Sequence, residues 1–253
     1  MWLIFISSNA LSHDFWLEVN NFNPSINDKI KISVNVGEDF LGEKIPRIPD
    51  WFLRFDVLQN NELTKINGIL GDDPAGNFTV KDNSLKIISY QSTTTLANID
   101  SIKFEKYLKK EGFDSILKFR KNNNLQNSRG REYFSRYAKI LINPINSTTT
   151  KFNTPTNLKL EITPTNSPFE PGLTEFVLLL DGSPLSEKIV SAYSKNNPKL
   201  VFNEKTDKNG KVWFNLKSNN IWIIRNVYIS EALGESARNA DWESLWASLV
   251  FKK

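Results

Sequence analysis

The chain has 253 residues, of which 40% are hydrophobic and 12% aromatic, enough apolar side chain for packed cores and too much for a disordered protein. It contains no cysteine, which excludes disulfides, zinc fingers, thiolate metal sites and cysteine nucleophiles. The 32 basic and 28 acidic residues are spread along the chain and give a net charge of +4. We therefore expect a solvated surface of mixed charge and no nucleic-acid partner.

Residues 1–12 have the features of a signal peptide. An apolar run of six residues precedes a short polar segment, in which Ala10 and Ser12 occupy the two positions where a signal peptidase requires small side chains. Cleavage after Ser12 would make His13, the one histidine, the first residue of a periplasmic or extracellular protein. The alternative is that residues 3–11 form a buried first strand and His13 lies on the surface. No other apolar run approaches the ~20 residues of a membrane span, so we expect no transmembrane segment in the mature chain.

Residues 13–150 are predicted to form an N-terminal, β-rich domain. Strict alternation of polar and apolar residues over residues 29–36 predicts a half-buried strand, and residues 51–58 and 85–90 also have strand character. The acidic loop 37–43 is bracketed by glycines, and it is either a solvated turn, the interpretation we favour, or a cation-binding loop.

The apolar period changes to a helical one between about residues 100 and 137, which predicts a helical insertion in this domain. Asp100 can cap a first helix that ends near Gly112, and further helical pieces are predicted over residues 113–119 and 129–137. The apolar face of the first helix would consist of Ile102, Phe104, Tyr107 and Leu108. This is the most basic part of the chain, but a cover over one face of a sheet is a better interpretation than a nucleic-acid helix.

Residues 143–155 are rich in Asn, Ser, Thr and Pro and predict a linker, after which residues 151–253 form a C-terminal β-sandwich domain. Seven short, turn-bounded strands are predicted there, the first at residues 158–164 and the last at residues 245–251. The predicted fold is therefore mostly β, with two immunoglobulin-like or transthyretin-like β-sandwich domains. Five tryptophans are expected to fill the cores and the domain junction: Trp16, Trp213, Trp222, Trp242 and Trp246.

Several segments together are similar to one family of exported bacterial proteins with a domain of unknown function. They are residues 13–18 (HDFWLE), 34–42, 104–112 (FEKYLKKEG), 136–139 (RYAK), 207–212 and 241–249 (DWESLWASL). Members of this family are described as periplasmic components of nickel or cobalt uptake. The resemblance implies an exported protein that binds a divalent metal ion without catalysis and works beside a membrane transporter subunit.

An N-terminal histidine can chelate one cation through its α-amine and its imidazole, and Ni²⁺, Co²⁺ and Cu²⁺ favour such nitrogen ligands. We therefore predict a site for Ni²⁺ or Co²⁺ at His13. Carboxylates that would complete it if the fold brings them near are Asp14, Glu18, Asp241 and Glu243, with Glu38 and Asp39 as further candidates. Tyr228 stands where members of the family commonly carry a second histidine, so a two-histidine site within one chain is excluded.

Catalysis is the least favoured class of function, and no catalytic or cofactor-binding residue is predicted. One histidine, no cysteine and no phosphate-binding or Gly-x-Ser-x-Gly motif leave most nucleophilic and phosphoryl-transfer mechanisms without their groups. Hydrolysis by paired carboxylates stays open, because the separation of two carboxylates is set by the fold. The rival to the metal hypothesis is a cell-surface β-sandwich module that binds carbohydrate or a protein through exposed aromatics.

Overall fold

The computed structural model describes residues 14–147 and 151–253. The predicted signal peptide and His13 lie outside the described residues. Within them the chain forms seventeen strands and two α-helices, so the predicted mostly β fold is confirmed.

The strands in chain order are β1 (Asp14–Val19), β2 (Lys29–Glu38), β3 (Leu41–Ile45), β4 (Phe52–Gln59), β5 (Glu62–Lys65), β6 (Gly76–Thr79), β7 (Lys86–Ser92), β8 (Thr95–Ile99), β9 (Gly130–Ile142), β10 (Leu160–Pro164), β11 (Leu173–Leu180), β12 (Ser183–Pro184), β13 (Ile189–Ser194), β14 (Asn197–Lys205), β15 (Lys211–Asn215), β16 (Ile221–Glu231) and β17 (Trp242–Lys252). The helices are α1 (Ser101–Lys110) and α2 (Asp114–Asn122), and short 3₁₀ turns lie at Pro49–Trp51 and Ser236–Arg238.

A nine-stranded sheet contains strands from both halves of the chain. Its order is β14-β13-β16-β17-β9-β7-β4-β5, and β8 also pairs with β9. All its pairs are antiparallel except β17 with β9, which runs in parallel register from Trp242 opposite Glu132 to Phe251 opposite Leu141. The predicted boundary near residue 150 therefore separates strands that share one hydrogen-bonded sheet, and the division into two domains stays a prediction.

Two smaller sheets cover opposite faces of the large one. We call the face that carries Glu132, Phe134 and Arg136 the first face, and the opposite one the second face. A sheet of β1, β2, β3 and β6 packs on the first face, and a sheet of β10, β11, β12 and β15 packs on the second. This arrangement follows from side-chain alternation, which sends successive residues of each central strand to different cores.

The buried apolar residues form three cores. The first core lies between the sheet of β1 and the first face and includes Leu17, Ile140 and Val250. The second core lies between the sheet of β10 and the second face and includes Phe176 and Leu249. The third, which we call the helix core, lies beside the first core on the same face, and its members are Ala97, Ile99, Phe104, Tyr107, Leu108, Ile116, Val227, Ile229, Trp242 and Trp246.

The first two predicted helical pieces are confirmed as α1 and α2. Asp100 caps α1, because its Oδ1 accepts hydrogen bonds from the backbone N–H of Ile102 at 3.0 Å and of Lys103 at 3.4 Å. Helix α1 packs closely on β9: a Cβ added at Gly130 would lie 2.4 Å from the ring of Phe104.

The third helical piece, predicted over residues 129–137, is wrong because these residues begin strand β9. In residues 130–136 polar and apolar side chains share both faces of β9, with Glu132 and Arg136 beside Phe134 on one face and Arg131 beside Tyr133 on the other, so no alternation is visible. The apolar pattern of such a strand is easily mistaken for that of a helix.

The acidic loop 37–43 is the hairpin turn between β2 and β3, as favoured from the sequence. Asp39 and Phe40 both have positive φ, which suits a tight hairpin turn. Phenylalanine seldom has a positive φ, because this backbone conformation is strained. The ring of Phe40 is buried against Trp16 and Tyr193, with ring centroids 5.6 and 5.3 Å away, and this packing offsets the strain.

Four of the five predicted core tryptophans are buried, and the prediction for Trp213 is wrong, since this residue is 40% exposed on β15. Its side chain lies on the outer face of its sheet and donates from Nε1 to Glu175 at 2.7 Å. Within residues 14–147 and 151–253, neither α1 nor α2 is long and apolar enough to cross a membrane.

Candidate functional site

A line of polar side chains separates the first core from the helix core on the first face. We call this line the polar seam and define it as Asp14, Glu111, Arg136, Arg225 and Ser248. Strand register brings Arg225 directly opposite Ser248 and places Arg136 on β9, two residues before the partner of Ser248. Asp14 is the first residue of β1, and the seam therefore lies at the start of the described chain.

Arg225 is the centre of the seam and is almost fully buried. Its Nη1 donates to both carboxylate oxygens of Glu111, at 3.1 and 3.0 Å, and its Nη2 donates to Oε1 at 3.2 Å. Its Nε lies 3.0 Å from Oδ1 of Asp14, whose other oxygen accepts a hydrogen bond from the hydroxyl of Tyr193. One arginine thus joins β1 to the residue that follows α1.

Mutual attraction keeps this buried group charged. Burial alone would lower the pKa of Arg225, but the carboxylates of Glu111 and Asp14 outweigh it and raise the pKa above the ordinary arginine value. Burial, together with the charge of Asp14, also raises the pKa of Tyr193, so its hydroxyl stays protonated and donates. The network is a stable set of two anions and one cation with a phenol as an additional donor.

Arg136 lies on the same face without an anionic partner among the described residues. Its guanidinium carbon is 5.2 Å from the ring centre of Phe15 and 4.8 Å from that of Phe134, which are cation–π distances. Partial burial lowers its pKa to about 10, and the one opposing influence is Tyr90. None of its side-chain N–H groups makes a hydrogen bond within residues 14–147 and 151–253.

A narrow cleft of about 10 Å³, room for about one water molecule, lies between Asp14, Phe15, Trp246 and the two central strands. The hydroxyl of Ser248 and Nε of Arg225, both on residues that line it, are buried and lack a hydrogen-bond partner in the described structure. Arg225 Nε is close to Asp14, but its N–H is not aligned with the oxygen. The described seam therefore has more polar hydrogens to donate than acceptors to receive them.

Glu132 forms a second buried polar group, at the edge of the helix core. Ser244 donates its hydroxyl to Oε1 of Glu132, and Trp246 donates from Nε1 to the oxygen of Ser244 at 2.9 Å. Burial raises the pKa of Glu132 to about 7. Its Oε2 and the hydroxyl of Tyr107 have no hydrogen-bond partner in the part of the chain that the structure describes.

The predicted metal ligands are not brought together. Asp14 is held by Arg225, Glu18 pairs with Lys195, and Asp241 pairs with Arg131 at 2.5 and 3.1 Å. Glu18 is four residues along β1 from Asp14, roughly 13 Å at the usual strand rise.

Glu243 faces the opposite side of the large sheet from Asp14. It is paired with Ser230 and Tyr133, and it is five residues from Ser248, roughly 17 Å along β17. Tyr228 lies on this second face too, so a histidine at position 228 would not have faced Asp14. Within the described residues no three His, Cys, Asp or Glu side chains are placed to hold a metal ion together.

Sequence reasoning did not single out Arg225, Arg136 or Glu132. A usable signal was present for Arg225, because it is the one charged residue in the apolar run of residues 221–229. A charge in such a strand must be paired when buried, which predicts an acidic partner without saying which one.

The model of one protein family, described as a domain of unknown function (DUF4198), matches residues 10–230. The chain belongs to the DUF4198 family. The predicted membership of a family with a domain of unknown function is thereby confirmed. No curated protein matches this DUF4198 chain.

Asp14 and Glu18 of this DUF4198 chain offer a matched test of the seam, since both are acidic, on β1 and paired with a cation. We expect Asp14→Asn to lower the free energy of unfolding by about 3 kcal/mol, because it leaves Arg225 with an incomplete set of buried anions. Glu18→Gln breaks an exposed pair and should cost less than about 1 kcal/mol. Urea unfolding measures both, and equal costs would contradict the role given to Arg225.

Glu132 predicts an unusual dependence of stability on pH. Its folded-state pKa of about 7 exceeds the ordinary 4.5, so the folded state binds more protons between these values and loses stability as pH rises. The loss should total about 3 kcal/mol and be complete above pH 7.

Glu132→Gln should remove this part of the pH dependence, because the amide stays neutral at every pH. Denaturant unfolding at pH 4.5 and pH 8 measures the change in the free energy of unfolding between the two pH values. Glu243→Gln is the control, because this side chain is only partly buried and its substitution should leave the pH dependence unchanged. If the free energy of unfolding changed equally with pH in Glu132→Gln and the unsubstituted protein, Glu132 would not be the group responsible.

Proposed function

We propose that this chain is an exported, non-enzymatic metal-binding protein that accompanies nickel or cobalt uptake. The observation that carries the proposal is the anchoring of Asp14, the residue directly after the one histidine. Asp14 is buried, paired with Arg225 and hydrogen-bonded by Tyr193. If cleavage follows Ser12, the new terminus is attached to one of the most firmly held residues of the fold.

A fixed attachment favours metal binding because it reduces the entropy lost when the terminal residue is ordered around a cation. Adjacent Cα atoms are 3.8 Å apart, so the anchoring of Asp14 limits the region available to His13. The α-amine and imidazole would bind the ion as a chelate without help from another chain segment.

The proposed site is an open one. The four carboxylates that were candidates to complete it either pair with cations or lie far along their strands. We therefore assign only two nitrogen ligands to the protein and leave the other positions to water or to a transporter subunit. Open positions suit a carrier, because a receiving protein can displace water more easily than a fourth or fifth protein ligand.

We expect Ni²⁺ to bind the protein that begins at His13, Co²⁺ to bind it more weakly, and Mg²⁺ not to bind detectably, following the preference of these ions for nitrogen. Affinity should fall below about pH 6.5, where protons compete for the imidazole and the amine. Calorimetric titration with each metal at pH 8 and pH 6 measures these differences.

Two controls isolate the terminal chelate. One extra residue before His13 removes the free histidine amine, and His13→Ala removes the imidazole, so each should weaken Ni²⁺ binding at least tenfold. Glu243→Gln should have no effect, since this residue faces the other side of the sheet. Equal binding by the extended and unextended proteins would sink the proposal.

A second candidate, a surface module that binds another protein, is favoured by strand β14. This strand is an edge of the nine-stranded sheet, and its consecutive apolar residues Leu200, Val201 and Phe202 are 51%, 41% and 39% exposed. Exposed apolar edges bind added strands through main-chain hydrogen bonds. The simplest partner of this kind is a second copy of the chain.

Val201→Lys should abolish such pairing, because a charge at the middle of an edge strand opposes strand addition. We expect the unsubstituted protein to associate at high concentration in sedimentation experiments and Val201→Lys to stay monomeric. Leu233→Lys places the same charge at a more exposed position outside β14 and should not change the association. A monomer at all concentrations would remove the support that β14 gives to this candidate.

A further inference from the structure

The polar seam contains donors that the described structure does not use. Arg136 makes no side-chain hydrogen bond or ion pair to any described residue, although partial burial in aromatic surroundings lowers its pKa. Ser248 Oγ is buried without a hydrogen-bond partner in residues 14–147 and 151–253, and Arg225 Nε lies 3.0 Å from Asp14 without an aligned hydrogen bond. A buried polar group left without a partner costs free energy, so a set of them on one face is unusual.

The three groups are close neighbours in the sheet. Arg225 and Ser248 are directly opposite each other on β16 and β17. Ser248 is opposite Ala138 on β9, two residues along the same face from Arg136. Phe15 connects them, because its ring contacts Arg136 and it also lines the cleft that Arg225 and Ser248 border.

The acids of the seam do not satisfy Arg136. Both oxygens of Asp14 are engaged, by Arg225 and by Tyr193, and both oxygens of Glu111 accept from Arg225. The two carboxylates balance the two arginines in total charge, but both are bound to Arg225 and neither is hydrogen-bonded to Arg136. The unpaired guanidinium and the unused donors favour an acceptor with negative charge.

We propose that Arg136 is the main contact of a site for a small oxyanion, a carboxylate or phosphate group, at the polar seam. A planar guanidinium binds either group through two parallel N–H bonds, and such charge-assisted hydrogen bonds are stronger than neutral ones. The hydroxyl of Ser248 is a further unused donor, at the neighbouring cleft. The aromatic rings of Phe15, Phe134 and Trp246 exclude water from the flanks and would strengthen the attraction.

This site does not depend on the proposed metal function, because it needs neither His13 nor a free N-terminus. The test uses metal-free protein and three probes, acetate, citrate and inorganic phosphate, each titrated against chloride at the same ionic strength. We expect saturable binding of at least one of them in calorimetry. The order of affinities tells whether the ligand is a carboxylate or a phosphate.

Arg136→Gln should weaken the binding about 10- to 100-fold, since it removes the charge and the paired donors. Arg136→Lys keeps the charge and should show an intermediate loss. Arg131→Gln is the matched control on the same strand, because Arg131 faces the other side and pairs with Asp241. It should bind the probes like the unsubstituted protein.

A thermal melt separates binding from folding. Removing a partly buried cation without a partner should leave the melting temperature of Arg136→Gln unchanged or raise it. No saturable binding above the chloride background, or equal binding by Arg136→Gln and the unsubstituted protein, would overturn the proposal and leave the free donors to ordered water.

Discussion

The parallel ladder between β9 and β17 is the constraint on which the rest of the fold depends. It joins the last strand of the chain to the longest strand of the first half and so makes one sheet of nine strands. Residues 137–142 of β9 and nearly all of β17 are buried on both faces, which requires a cover on each side. The two small sheets and the helix pair supply these covers, and the three cores follow from their positions.

The polar seam arises from the same constraint. Two different covers, one a sheet and one a pair of helices, meet on the first face, and neither closes completely over the strands at their junction. Arg225 holds the covers together there by binding Asp14 from one and Glu111 from the other. The seam is therefore the structural joint between the two covers.

Much of the fold could be predicted from periodicity. The seven strands predicted after residue 157 and the helices α1 and α2 are present, because turn residues or a cap bound each of them and the apolar residues of several repeat with the period of a strand or a helix. β9 was mistaken in part for a helix, because charged residues lie on both of its faces over residues 130–136 and conceal the period of two. The pairing of β9 with β17 joins residues about a hundred positions apart, and no local pattern records it.

The candidate site was less predictable than the fold. Sequence reasoning selected Asp14 because it follows the histidine. In the structure this carboxylate forms an ion pair with Arg225, more than two hundred residues away in the chain. It grouped Asp241 and Glu243 with Asp14 by residue type, whereas strand register sends Glu243 to the opposite face of the sheet. Which charges meet depends on tertiary contacts, and these are set by the long-range ladder rather than by spacing in the chain.

The position of β17 in the chain has a consequence for biosynthesis. While the ribosome is still making residues 242–252, β9 and β16 each have an edge without its final partner, and the two groups of strands cannot yet form one sheet. Open edges pair readily with other strands, so the growing chain is exposed to misassembly or chaperone capture until residues 242–252 emerge and fill the gap between β9 and β16.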